Sequence, residues 1–165
     1  MELDQAYREN VNDLYRYLYS LSKDHFIAED LVHDAFYRAY LQLEDYEISN
    51  IRAWLFKVAY HSFIDFQRKN KRLAFNEQFE ESGPISKETP EKRLLDKESF
   101  QLLLNDIHSL KEQERHVLLL CDLHQLTYNE AAEILDMKIN TLKSHLHRGR
   151  RKVMIRVKER MTSDE

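Results

Sequence analysis

Tyr7, Val11, Leu14, Leu18 and Leu21 recur at alternating steps of four and three residues, which places one apolar stripe on a helix predicted over about 4–21. A second stripe, Ala28, Leu31, Val32, Ala35, Phe36, Ala39 and Leu43, predicts a helix over about 26–43. Glu29, Asp30, His33, Asp34 and Arg38 fall largely on its other side. The stretch DYEISN, 45–50, interrupts the pattern and reads as a loop. From Ile51 the chain runs IRAWLFKVAYHSFIDFQRKNKR, a third helix ending in a basic cluster. Three such helices can close a small core around Trp54, Leu55 and Val58.

The apolar period then stops. Residues 73–91, LAFNEQFEESGPISKETPE, hold both prolines and one of the two glycines, and from Asn76 to Glu91 five acids stand against Lys87 alone. That composition predicts a flexible acidic linker. Helical spacing resumes over about 92–108 and again over 111–123, where Val117, Leu118, Leu120 and Cys121 are expected to be largely buried. Thr127 and Glu130 form a T-x-x-E capping box, so a helix starts there, with Ala131, Ile134 and Leu135 as its apolar face. It ends at DMK, and a last helix begins near Ile139. No segment sustains the alternation of a strand. The expected fold class is all-α, with small helical domains at 1–72 and 92–165 joined by a linker at 73–91.

A short capped helix, a tight turn and a longer basic helix make a helix-turn-helix. At 100° per residue, Leu142, Leu146, Gly149 and Val153 share a narrow inward arc with Ile139 beside it, and Gly149 permits close approach of a neighbouring helix. Asn140, Ser144, His147, Arg148 and Arg151 occupy the opposite arc, flanked by Thr141 and Lys143. Arg can pair with guanine and Asn with adenine, while Ser and Thr adapt to either. The first turns are therefore expected to approach base edges, and the later cations the phosphates. The plain alternative is a solvated charged face, but the capped helix and turn before it favour the DNA-reading motif.

Net charge changes this picture only through its distribution. The 165 residues carry a formal charge of −4, which argues against a general polyanion binder. Yet residues 138–160 hold nine Lys and Arg against Glu159, and residues 52–72 hold six against Asp65. A single cysteine, Cys121, fits a reducing cytoplasm. MELDQAYREN is not expected to be a signal peptide, and no apolar run is long enough to span a membrane. Enzyme chemistry finds little footing. His116, Cys121 and His124 cannot share one helical face, so neither a metal nor another cofactor is expected. Asp30 and Asp34 lack a catalytic partner, and no phosphate-binding glycine loop or nucleophile arrangement is present. A stand-alone helix-turn-helix DNA-binding regulator explains the second domain but leaves the first without a role.

The stretch LKEQERHVLLLCDLHQLTYNEAAEILDMKINTLKSHLHRGRRKV closely resembles the C-terminal domain of bacterial extracytoplasmic-function sigma factors. AEDLVHDAFYRAY, followed by a loop and IRAWLFKVAYHSFIDFQRKNKR, looks like their N-terminal domain. The resemblance covers nearly the whole chain, with both motifs in the family's order. It implies a protein that binds core RNA polymerase and promoter DNA, initiates at a limited promoter set and performs no catalysis. It also implies a cytoplasmic location and an anti-sigma partner, often membrane-bound.

Residue by residue, the resemblance places Asp30, Asp34 and Arg38 on the helix that docks on the polymerase clamp. Tyr46, Ile48, Ser49 and Asn50 fall in the loop that holds a flipped −10 base, and Arg68, Lys69, Lys71 and Arg72 suit a phosphate track. Tyr60 and His61 stand where the family usually has Arg-Asn. His61 can still donate to a base or phosphate, but it cannot copy an amide's paired donor and acceptor, so a different −10 preference is expected. Asp65 is expected to be structural, hydrogen-bonded or ion-paired. Family −35 recognition falls on Lys143, Ser144, His147 and Arg148, with Asn140, Thr141 and Arg151 around them. Lys138 and Asn140 replace the usual Ser or Pro and Gly near that helix's start, and Lys is a poor N-cap. In related factors the linker threads the channel later taken by RNA.

Overall fold

The computed structural model describes residues 3–45, 47–76 and 98–163. The chain divides into two compact units, Met1–Leu94 and Leu95–Glu165, and every described element is helical.

The first unit is a three-helix cluster of α1 (Leu3–Ser22), α2 (His25–Asp45) and α3 (Ile51–Asn76). Lys23, in the left-handed region at φ 56°, turns the chain out of α1. Asp24 then caps α2, its Oδ1 accepting from the amides of Phe26 at 2.9 Å and Ile27 at 3.0 Å. Leu14, Tyr15, Tyr17 and Leu18 of α1 are buried, as are Ala28 to Ala39 of the predicted α2 stripe and Leu55, Phe56, Ala59 and Phe63 of α3, and the three helices pack on one another. Two expectations shift here. Tyr7 is 42% exposed while Tyr17 is fully buried, its ring 5.1 Å from that of Phe56. Trp54 and Val58 are only half-buried, so the centre of α3 is the Leu55–Phe56–Ala59 face one residue round. Arg52 ties α3 to α1: it donates to Asp13 at 3.1 Å and Asn10 at 3.3 Å and lies over the Phe56 ring. The third helix continues to Asn76, past the predicted domain end. The rest of the predicted linker and the start of the helix predicted from Lys92 lie outside the described residues.

The second unit comprises α4 (Glu98–His108), α5 (Glu112–Leu118), α6 (Tyr128–Leu135) and α7 (Ile139–Ser163). Arg115 closes the end of α4 by donating to the carbonyls of His108 and Leu110, each at 3.2 Å. Helix α5 widens into a π turn over Leu119–Leu123, where the amide of His124 reaches back to the carbonyl of Leu119. Leu119 and Leu120 are fully buried, whereas Cys121, expected inside, is half-buried. The capping box is present in full: the amide of Glu130 donates to Thr127 Oγ1 at 3.1 Å and the amide of Thr127 to Glu130 Oε1 at 2.8 Å. Asp136, at φ 51°, turns the chain out of α6. Beneath α7 the core is built from Leu142, Leu146, Gly149 and Val153, the inward arc the wheel predicts. A methyl group at Gly149 would meet Glu114 and Leu118 at 3.6 Å, so the helices approach closely but not so closely that only glycine fits.

Candidate nucleic-acid interface

Helices α6 and α7 with the turn 136–138 form the helix-turn-helix. The carbonyl of Lys138 accepts from the amide of Leu142 at 2.9 Å, so α7 starts on Ile139 although a lysine ammonium has no acceptor with which to cap it. Asn140 and Thr141 stand in the first turn and Lys143 and Ser144 in the second, all exposed. The Ser144 hydroxyl donates to the carbonyl of Asn140 at 3.0 Å, which leaves its oxygen outward as an acceptor. Lys143 Nζ lies 6.0 Å from the centre of the Tyr128 ring. His147, Arg148 and Arg151 are exposed as expected. The inward–outward split of α7 therefore places all seven candidate −35 residues on the surface.

The basic character of α7 divides in a way the sequence does not announce. Arg150 forks onto Asp122, Nε donating at 2.8 Å and Nη2 at 2.6 Å. Lys152 donates to the buried Glu114 at 2.7 Å. Arg160 donates to both oxygens of the buried Asp106, each at 2.6 Å. These three cations pair with acids of their own unit, a division among the later cations that the charge count, which expects them all to face phosphates, does not show. Arg148 shares in this: its Nε is 3.5 Å from Glu114 and its Nη2 is 3.0 Å from His145 Nδ1.

Burial pushes the Glu114 carboxyl up, but the Lys152 hydrogen bond and charge, helped by the Lys111 amide, bring it below its ordinary value. Asp122, hydrogen-bonded to Arg150, holds that guanidinium's pKa well above its ordinary value. Leu103, Ile107, Leu118, Leu123, Val153 and Met154 also line an apolar groove of about 350 Å³.

In the first unit, α2 and α3 wall a cleft of about 530 Å³. Asp30, Asp34 and Arg38 line it from α2, and Ser62, Asp65 and Lys69 from α3. Asp34 and Arg38 pair with each other at 3.1 Å, and the Ser62 hydroxyl donates to Asp34 at 3.3 Å, while Asp30 is exposed. Asp65, expected to be held within the structure, is exposed on the cleft wall. Ser49 is exposed and Ile48 half-buried. Asn50 has a local duty, since its Oδ1 caps α3 by accepting from the amide of Ala53 at 3.1 Å. Tyr46 lies outside the described residues. His61 is exposed with its ring edge-on to Tyr60, and Arg68 and Lys69 are exposed on the same helix. No group of three or more potential metal ligands occurs among the described residues.

Residues 6–73 match the family model for sigma-70 region 2, and residues 100–153 that for sigma-70 region 4. The ECF RNA polymerase sigma factor SigM of Bacillus subtilis (strain 168) is 32% identical over 154 residues, covering 93% of this chain and 93% of that protein. The RNA polymerase sigma factor YlaC of the same organism is 29% identical, over 97% of this chain and 92% of its own length. Among solved structures, the sigma factor RpoE in complex with the anti-sigma factor NepR from Bartonella quintana aligns with a TM-score of 0.76 at 27% identity, covering 94% of this chain and 96% of that one. CnrH, in complex with the cytosolic domain of CnrY, shares the fold at a TM-score of 0.69 and 20% identity, over 95% of this chain and 88% of its own.

Proposed function

The chain belongs to the extracytoplasmic-function sigma factors of the sigma-70 family, and from that premise we propose how its two units share the work of an alternative sigma factor that directs transcription initiation. The first domain, 1–72, holds core polymerase through the outer face of α2, with Asp30, Asp34 and Arg38 as contacts. Its 47–50 loop and α3 take the −10 element, using Ser49, Asn50 and His61 near bases and Arg68 and Lys69 on phosphates. The second domain, 92–165, reads the −35 element with Asn140, Thr141, Lys143, Ser144, His147, Arg148 and Arg151. The acidic stretch that follows α3 joins them and occupies the nucleic-acid channel of the polymerase.

One observation carries this reading. The outward arc of α7 stays exposed while Arg150, Lys152 and Arg160 turn back onto acids of their own unit. Side chains able to read base edges thus face outward where a recognition helix needs them. Sigma factors are transcription initiation factors rather than enzymes, and we assign this chain no catalysis of its own. No helix among the described residues is long and apolar enough to cross a membrane, and we place the protein in the cytoplasm with its polymerase. Because RpoE is bound by NepR, we also propose an anti-sigma partner here. The polymerase-independent regulator is not favoured, since the region 2 match gives the first unit its own role. Run-off transcription separates the two: specific transcripts that require both this chain and core polymerase support the sigma reading, and promoter-specific occupancy without core, with no gain in transcription, contradicts it.

A further inference from the structure

Glu114 lies on α5, outside the helix-turn-helix, yet its side chain is only 2% exposed and its carboxylate meets two cations of α7. Lys152 Nζ donates to Oε1 at 2.7 Å, and Arg148 Nε stands 3.5 Å from Oε2. The two cations are one helical turn apart and so share a face of α7. Gly149 packs between them against the Cβ and carbonyl of Glu114 itself. The carboxyl's lowered pKa keeps it charged at neutral pH.

Arg148 thus meets a partner at two edges, Nε in an ion pair with Glu114 at 3.5 Å and Nη2 within hydrogen-bond distance of His145 Nδ1 at 3.0 Å. Its side chain is still 52% exposed. A guanidinium has five N–H donors in one rigid plane, so fixing two of its nitrogens fixes the direction of the remaining donors. Bidentate reading of a guanine edge depends on that direction, whereas attraction to a phosphate does not. We infer that Glu114 is a positioning residue for base choice, aiming the Arg148 fork at one base of the −35 element; the inference rests on the −35 reading of α7. Lys152 holds the same carboxylate from its other oxygen and serves the stability of the unit, not its sequence preference.

The test uses holoenzyme reconstituted from the full chain and core polymerase. Its templates carry all four bases at each −35 position of a promoter located by start-site mapping. Transcript yield is read as a ratio between bases, beside thermal denaturation of each variant. Arg148→Ala should flatten the preference at one position. Glu114→Gln, which keeps the shape and removes the charge, should weaken the preference at that same position by about fivefold, the lower end of what one bidentate contact supplies. Combining the two should do no more than Arg148→Ala alone, because both act through one contact. Lys152→Met should lower stability and scale all templates alike.

If Glu114→Gln folds too poorly to assay, Glu114→Asp keeps the charge but withdraws it by one methylene, and should weaken the same base preference. A uniform loss across all templates with the Glu114 variants, at a position where Arg148→Ala is selective, overturns the inference and leaves the −35 reading standing. Unchanged preferences with Arg148→Ala itself overturn both.

Discussion

Replacing Gly149 with alanine should stabilise the second unit, although a buried glycine at a helix crossing looks like a residue that cannot be changed. A methyl there would meet Glu114 Cβ, the Glu114 carbonyl oxygen and Leu118 Cδ1, each at 3.6 Å, which is ordinary van der Waals contact. Alanine is favoured over glycine inside a helix by about 0.8–1.0 kcal/mol, largely because glycine loses more backbone freedom on folding. Burying one more carbon adds at most about 0.8 kcal/mol, and small shifts of the neighbours will use part of it. A net gain of about 1 kcal/mol corresponds to a rise of roughly 4–8 °C in the Tm of a domain this size. Gly149→Val should reverse the sign, because two further carbons must enter space that the first already touches; overpacking of that kind costs about 1–3 kcal/mol. Differential scanning calorimetry of the full chain can follow the transition of the second unit, with circular dichroism to check helix content. Promoter preference should be unchanged in the alanine variant, since Arg148 and Lys152 keep their places on Glu114. A lower Tm for Gly149→Ala would mean that the crossing needs a bare backbone, and the reasoning would fail.

Three further outcomes follow from the same unit. Burial drives the His116 imidazole from 6.5 down to about 4, with Arg115 and His108 acting in the same direction and Glu112 against it. Unfolding therefore takes up a proton between those values, and stability should fall by about 3 kcal/mol as the pH drops through that window and not further on this account below it; urea titrations of His116→Phe should show the slope flattened. Arg151→Ala should reduce the slope of log binding constant against log salt by about 0.9 on promoter DNA, whereas Arg150→Ala, whose charge is committed to Asp122, should leave the slope unchanged. Thr127→Ala removes the hydroxyl that accepts from the Glu130 amide and should cost about 1 kcal/mol in thermal or urea denaturation of the second unit.

Much of this architecture is legible in the sequence wherever the determining interactions are local. The stripe of α2 and the inward arc of α7 follow from helical spacing, and the T-x-x-E box places the start of α6 because its two hydrogen bonds span three residues. Legibility ends where contacts cross the sequence. Leu55 is at the centre of α3 as expected, but Phe56 and Ala59 join it there instead of Trp54 and Val58, because both faces are apolar and only packing against α1 and α2 chooses between them. The cations of α7 look alike as a charge run, yet Arg150 and Lys152 find their acids 28 and 38 residues earlier in the chain. Glu114 reads as one more charge on a polar helix start until α7 is laid over it. Asn50 shows how one residue type serves two ends, since the amide suited to a base edge also caps a helix.

The central claim is that this chain gives core polymerase its promoter choice through two separate elements. Transcription start-site mapping with reconstituted holoenzyme on a genomic library tests it most directly, comparing the natural chain with the Arg148→Ala variant. The account predicts a limited set of starts that share two upstream motifs at constant separation, with the variant relaxing one position of the farther motif and leaving the nearer one intact. Starts scattered without a shared motif, or a variant that changes the nearer motif instead, would contradict it.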